Sequence, residues 1–247
     1  MKYIKNYRIF ESIDDQFFKT YEETKNWLHD VYVKNYTINK DLTVDVDDEV
    51  SLTFNNLEFI PVQFGVVVRN FDCSNNNLRN LKGSPFKTRY FNCNNNKLTS
   101  LEGSPTEIDG LFDCSYNNLK KLDCGPIKIS GRYGGISCSN NKIESLEGCP
   151  KVKRLYFDNN NLLNLKGLPI DIEEFFFHNN PISYILHLVD PNKYIKFVEY
   201  LNEYDVIVKN TIYLDKLKDA LYMIDEQDEF PYNELYFGKI PSIYSIV

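Results

Sequence analysis

The chain has 247 residues, 43% of them hydrophobic, and a formal charge of −7, enough for one elongated domain with caps or two small domains. The acidic balance excludes a nucleic-acid footprint, which needs a basic stripe against phosphates, and argues against an anionic membrane as partner. No stretch of about 18 apolar residues occurs, so no membrane-spanning helix is predicted.

The chain opens Met1-Lys-Tyr-Ile-Lys-Asn-Tyr-Arg, which is basic but lacks the apolar stretch of about 7–15 residues that a signal peptide needs. A cytoplasmic location is therefore expected. Residues 12–33 read as an amphipathic helix, with Phe17, Phe18, Tyr21, Trp27, Leu28 and Val31 as the apolar set. Residues 36–54 alternate and are predicted to be strands. Within them Asp45-Val-Asp47-Asp48-Glu49 gathers carboxylates. It lacks the glycine and spaced ligands of a calcium loop, so it reads as a solvated turn. Residues 1–49 together form a predicted N-terminal cap.

From residue 50 to 186 one unit repeats. Asn55, Asn76, Asn96, Asn117, Asn141, Asn160 and Asn180 each precede a Leu or Ile by two residues, at intervals of 21, 20, 21, 24, 19 and 20 residues. Such a period signals stacked coils. Around each Asn runs the pattern L-x-x-L-x-L-x-x-N-x-L, filled for example by Val68, Phe71, Cys73, Asn76 and Leu78. The Phe-x-Cys alternation predicts a short strand with its apolar side chains inward. The ladder Asn then turns the chain, and its amide is expected to bond backbone groups from coil to coil. Its neighbours in runs such as Asn75-Asn76-Asn77 are expected to face water. Proline at 85, 105, 126, 150 and 169, with the short period, leaves no room for a helix on the convex side. Extended or turn structure is predicted there.

Of six cysteines, Cys73, Cys93, Cys114 and Cys138 stand three residues before the ladder Asn, a slot that Leu52, Phe157 and Phe177 fill elsewhere. A slot that accepts Cys, Leu or Phe is a buried apolar slot. Free thiols in a reducing compartment are expected.

The longest interval contains Gly131-Arg132-Tyr133-Gly134-Gly135, about three residues added before a strand. It is either a contact loop or a tolerated insertion. Outward residues of the strands make the predicted concave face. Early strands are small and polar there, whereas later ones carry Arg154, Tyr156, Asp158, Glu174, Phe176 and His178. With Tyr90, Arg132 and Tyr133 they are the candidate partner-binding set, being rich in types that dominate binding hot spots. Phe176 needs a cover, supplied either by the C-terminal cap or by a partner.

Residues 187–247 form the predicted C-terminal cap. Asp190-Pro191-Asn192 opens a helix bearing Tyr194, Ile195, Phe197, Val198 and Leu201. Strand-like segments flank Lys209-Asn210, a helix spans residues 215–224, and an acidic loop follows at 225–229. The last 20 residues are rich in Tyr and Ile and give no clear element. His29, His178 and His187 are the only histidines, and no Ser–His–Asp or Cys–His arrangement is evident around them. The chain reads as non-enzymatic, without cofactor or metal.

Ser74-Asn-Asn-Asn-Leu-Arg-Asn-Leu-Lys-Gly-Ser-Pro and Asn94-Asn-Asn-Lys-Leu-Thr-Ser-Leu-Glu-Gly-Ser-Pro resemble the repeats of leucine-rich-repeat proteins of tailed bacteriophages. The lead-in Tyr36-Thr-Ile-Asn-Lys-Asp-Leu-Thr-Val-Asp-Val and the tail Asn202-Glu-Tyr-Asp-Val-Ile with Leu214-Asp-Lys-Leu resemble theirs too. The likeness covers roughly residues 20–225. It implies a viral or bacterial origin, hence host cytoplasm for a viral chain, and no particular activity. The expected fold is an α/β leucine-rich-repeat solenoid of about seven short coils, with a parallel sheet on the concave face. The expected function is non-enzymatic binding of a protein partner, with a structural or assembly role in a phage particle as the alternative.

Overall fold

The computed structural model describes residues 16–169, 171–225, 242 and 244–247. The basic start, the first residues of the expected N-terminal helix, the acidic run from 226 to 229 and most of the final 20 residues lie outside the described residues.

The first helix, α1 (Tyr21–Asp30), is shorter than the 12–33 expected. Thr20 stops it at one end: its hydroxyl accepts from Glu23 N and donates to the Glu23 carboxylate, a reciprocal cap. Left-handed Tyr32 and Asn35 turn the chain away at the other. Trp27 and Leu28 are buried, and Gln16 Nε2 donates to Ile60 O and Lys82 O on the first turns. Next come β1 (Tyr36–Ile38) and β2 (Val44–Val46), paired antiparallel. The carboxylate run is not simply a solvated turn, because Asp45 lies on β2 and accepts from Val66 N at 2.7 Å and from Asn39 Nδ2 at 2.8 Å.

Seven short strands then stack in chain order: β3 (Val50–Ser51), β5 (Asn70–Asp72), β7 (Tyr90–Asn92), β9 (Leu111–Asp113), β11 (Gly135–Ser137), β12 (Arg154–Tyr156) and β13 (Glu174–Phe176). All neighbours in this sheet are parallel and in register. Seven strands bound six full turns, so the body is a parallel β-solenoid. A second sheet was not foreseen. Strands β4 (Phe64–Val67), β6 (Lys87–Thr88), β8 (Glu107–Ile108) and β10 (Lys128–Ile129) form their own parallel ladder, extended by β2 and β1. Each precedes a strand of the long sheet by a few residues, so the turns that end in β5, β7, β9 and β11 have a corner. This ladder ends at β10, where the added residues 131–134 intervene.

The inward row of the long sheet is Val50, Phe71, Phe91, Phe112, Ile136, Leu155 and Phe175, all at most 1% exposed except the half-buried Phe175. The Phe71 and Phe91 rings stack with centroids 5.4 Å apart. The cysteine slot is equally buried, and all six cysteines are free.

The ladder Asn side chains join the turns. Asn117 is typical: its Oδ1 accepts from Leu98 N of the preceding turn at 2.9 Å. Its Nδ2 donates to Cys93 O of that turn and to Cys114 O and Ser115 O of its own, each at 3.1 Å. Asn76, Asn96, Asn141, Asn160 and Asn180 repeat the arrangement. Asn55, in the first turn, is only half-buried.

The residue just before each ladder Asn has a left-handed backbone: Phe54, Asn75, Asn95, Tyr116, Asn140, Asn159 and Asn179 all have φ between 52° and 59°. Asn tolerates that region better than other side chains. Five of the seven are Asn, so the Asn runs serve backbone geometry as well as solvation. A second left-handed site falls in each Gly-x-Pro turn. At Gly103 (φ 87°) an added Cβ would lie 2.3 Å from Lys82 N. Cys124 holds the matching slot at φ 63° and is exposed.

After β13 come α2 (Ser183–Leu186), a short 3-10 turn at Pro191–Lys193, α3 (Tyr194–Glu203), the antiparallel pair β14 (Ile207–Val208) and β15 (Thr211–Ile212), and α4 (Leu214–Asp225). Strand β16 (Ser245–Ile246) joins β15 in parallel. This segment packs on the last turns: the Tyr194 ring meets Phe177 edge-on at 5.5 Å, and Tyr244 Oη donates to Leu163 O at 2.7 Å. Among the described residues no helix is long and apolar enough to cross a membrane.

Two predictions arise from this core. Asn117→Ala leaves the buried Leu98 N–H without its acceptor, while Cys93 O keeps Asn96 Nδ2, Cys114 O keeps Asn141 Nδ2 and Ser115 O keeps Asn95 N, and should cost about 1–3 kcal/mol, the range for one buried unsatisfied group. Asn118→Ala, beside it, should cost under about 0.5 kcal/mol. Urea melts of both variants check this, and equal losses would contradict the bonding described. The second concerns pH. Burial raises the thiols of Cys73, Cys93 and Cys138 well above their ordinary range, and burial followed by the neighbouring Cys114 pushes Cys149 up to about 12. The folded thiols thus keep protons that the unfolded chain loses near pH 9. Stability is full below that pH and falls as pH rises through it, by up to about 1.4 kcal/mol per pH unit for each such thiol. Denaturant melts across this range should show the fall, with a shallower slope for Cys138→Ala.

Candidate functional site

Side chains alternate along a strand, so each turn of the long sheet sends three residues outward. Registered pairing lines these up in rows across the sheet. The middle row reads Ser51, Asp72, Asn92, Asp113, Ser137, Tyr156 and Phe176. The row before it ends in Gly135, Arg154 and Glu174. The row after it ends in Ser139, Asp158 and His178.

The last three strands gather most of the candidate residues. Tyr156 and Phe176 are neighbours in the middle row, with rings stacked at 5.3 Å and nearly parallel at 9°. Tyr156 Oη donates to Glu174 Oε2 at 3.0 Å. Partial burial, this hydrogen bond and the Glu174 charge together raise the Tyr156 phenol, with Arg154 opposing. Arg154 Nε lies 3.3 Å from Glu174 Oε1. That nitrogen is buried and not aligned as a hydrogen bond, so the contact is an ion pair. His178 receives support from Asp158, whose Oδ1 accepts from His178 N at 2.7 Å and lies 3.1 Å from Nδ1.

The inserted loop reaches this cluster. The guanidinium carbons of Arg154 and Arg132 lie 5.5 and 5.7 Å from the Tyr133 ring centroid, and Arg154 Nη1 donates to Arg132 O at 3.4 Å. Gly135 makes the approach possible. A Cβ there would fall 2.9 Å from Arg154 Cβ, so the absent side chain leaves the space that Arg154 crosses. Arg132, Tyr133, Arg154, Tyr156, Asp158, Glu174, Phe176 and His178 therefore form one neighbourhood. Tyr90 does not join it. It lies on β7, three strands from β12, beneath Arg89 at 5.5 Å.

Phe176 is 39% exposed. Its ring rests on Tyr156, while the C-terminal segment contacts the next residue, Phe177, through Tyr194.

The middle row also holds residues that the candidate set omitted. Asp72 Oδ1 accepts from Ser74 N at 2.9 Å and Oδ2 from Asn92 Nδ2 at 3.1 Å. Asp113 repeats this with Ser115 N at 2.9 Å and Asn94 Nδ2 at 3.2 Å. The signal was present in sequence as Asp-Cys-Ser, since Asp bonds the backbone two residues on.

Two surface hollows lie elsewhere. One of about 500 Å³ is bordered by Tyr32, Lys34, Asp48, Glu49 and Asn55. The other, of about 320 Å³, is bordered by Arg79, Lys97, Thr99 and Asn118. Among the described residues no group of three or more His, Cys, Asp or Glu side chains is placed to hold a metal ion. No protein-family model matches the chain, and no curated protein or solved structure matches it.

Proposed function

We propose that the chain is a leucine-rich-repeat solenoid, capped by α1 at one end and by α2 to α4 at the other, that works as a non-enzymatic protein-binding module. The repeat type rests on the Leu and Asn periodicity and on the resemblance to phage-encoded repeat proteins. The binding face is the outward, concave side of the long sheet, at its β11 to β13 end.

One observation carries this reading. Tyr156 and Phe176 form a stacked aromatic step on an open sheet face, with Phe176 39% exposed. Tyr133, Arg154, Asp158, Glu174 and His178 surround it. Aromatic and Arg side chains dominate the energetics of protein interfaces, the aromatics because they present large, rigid area at low entropic cost. Internal contacts already fix Arg154, Tyr156 and His178 in place, so a partner meets an ordered surface. The acidic charge and the resemblance favour a cytoplasmic protein as the partner, and nothing in the site calls for a cofactor.

The test is Arg154→Ala, Tyr156→Ala and His178→Ala combined. A partner captured from host-cell extract by the unaltered chain should bind this variant at least about tenfold more weakly, as loss of a hot spot implies, with circular dichroism unchanged. Equal capture by the folded variant would remove the binding site from this face.

A further inference from the structure

The partner's chemistry can be read from how charge is distributed over the same face, so this inference rests on the reading above. Seven strands with three outward positions each carry five carboxylates, Glu49, Asp72, Asp113, Asp158 and Glu174. They carry a single Lys or Arg, Arg154, which Glu174 already pairs. The whole chain has 28 Lys and Arg, so the repeat places its cations on other faces.

Spacing adds to sign. In the middle row Asp72 lies on β5, Asp113 on β9, and the Tyr156–Phe176 step on β12 and β13. Asp113 is two strands from Asp72, and Tyr156, the near side of the aromatic step, is two strands from Asp113, with Phe176 one strand further. Strands in a sheet lie about 4.8 Å apart, so the stations are about 10 Å apart. A polypeptide laid across the strands advances about 3.3 Å per residue when extended and about 3.1 Å as polyproline II. Every third side chain of such a segment therefore meets a station.

The stations suit cations. Asp72 and Asp113 are half-buried and held by a backbone N–H and an Asn amide each, while an ionised carboxylate retains further acceptor sites. Holding them in advance lowers the ordering cost of pairing. At the third station the Tyr156–Phe176 pair stands between the rows that carry Asp158 and Glu174, and a guanidinium or ammonium group over a ring face that the stack leaves uncovered is attracted to it.

We propose that this face docks an extended segment of a protein partner carrying Lys or Arg at every third position. Two successive cations pair with Asp72 and Asp113, and the third lies on the Tyr156–Phe176 step. An acidic segment is repelled by the same row.

The experiment uses the full chain and two labelled nonapeptides of identical composition. One has Lys at the first, fourth and seventh positions among Ser and Pro, and the other has its three Lys adjacent. Fluorescence anisotropy at low salt should show the spaced peptide binding at least about tenfold tighter. Asp113→Asn should remove that advantage without unfolding, since Asn92 fills the same row and makes the same turn bond to Asn94 N. Raising the salt should weaken the spaced peptide most. Equal affinity for the two peptides, or an advantage that survives in the doubly altered Asp72→Asn, Asp113→Asn chain, would overturn the proposal. If the triple alanine variant loses its captured partner while the spaced peptide shows no advantage, the face binds but the basic pattern is wrong. If capture is unaffected by the triple variant, the placement of the binding face itself fails.

Discussion

The amide of the ladder Asn is the contact on which the other features of this chain depend. In a coil of about 20 residues the backbone must reverse direction repeatedly, and each reversal leaves N–H and C=O groups pointing inward. Nearly all of the surrounding side chains are apolar and cannot satisfy them. One Asn amide has a two-sided acceptor and a two-proton donor, so a single side chain answers up to four such groups across two turns. This bonding fixes the register between turns. Register in turn aligns the Phe row, the thiol row and the outward rows. It also dictates the left-handed residue just before each ladder position, because the chain must bend sharply there for the amide to enter the core.

Where the pattern is interrupted, the surface becomes more diverse. The second sheet ends at β10, and the residues added after it at 131–134 bring Arg132 and Tyr133 to Arg154 on the long sheet. Gly135 then leaves the room in which Arg154 reaches Tyr133. Beyond it the outward rows change from Ser, Asn and Asp to Arg, Tyr, Phe, Glu and His. Rigid stacking on one side and an irregular, aromatic-rich end on the other is how a repeat scaffold combines stability with a distinct binding surface.

Much of this was legible in the sequence, for physical reasons. Stacked turns repeat their environment, so a residue type recurring at a fixed interval reports a fixed contact; the Asn amides, the Phe row and the buried thiols follow from that. Features without a repeated side-chain signature were not legible. The second sheet consists of two-residue strands such as Lys87–Thr88 and Glu107–Ile108, too short for any alternation to show. The late start of α1 depends on Thr20 and Glu23 capping a helix whose apolar pattern starts before them. The role of the Asn preceding each ladder position was masked by its exposure, and Tyr116 and Phe54 in the same backbone conformation break the residue pattern. Of the candidate site, the strand-borne residues were found from register. The meeting of Arg154 with Tyr133 was not, because it depends on the path of an inserted loop, and Tyr90 was grouped with residues three strands away.

Native-state hydrogen exchange tests the central claim most directly. The amides of Leu57, Leu78, Leu98, Leu119, Ile143 and Leu162 all donate to a ladder Asn Oδ1 at 2.9 to 3.0 Å. If the Asn amides hold the turns together, those of the central turns should open only with global unfolding and be among the slowest to exchange in the chain. Exchange of Leu98 and Leu119 at the rate of the exposed turn residues beside them would contradict the account.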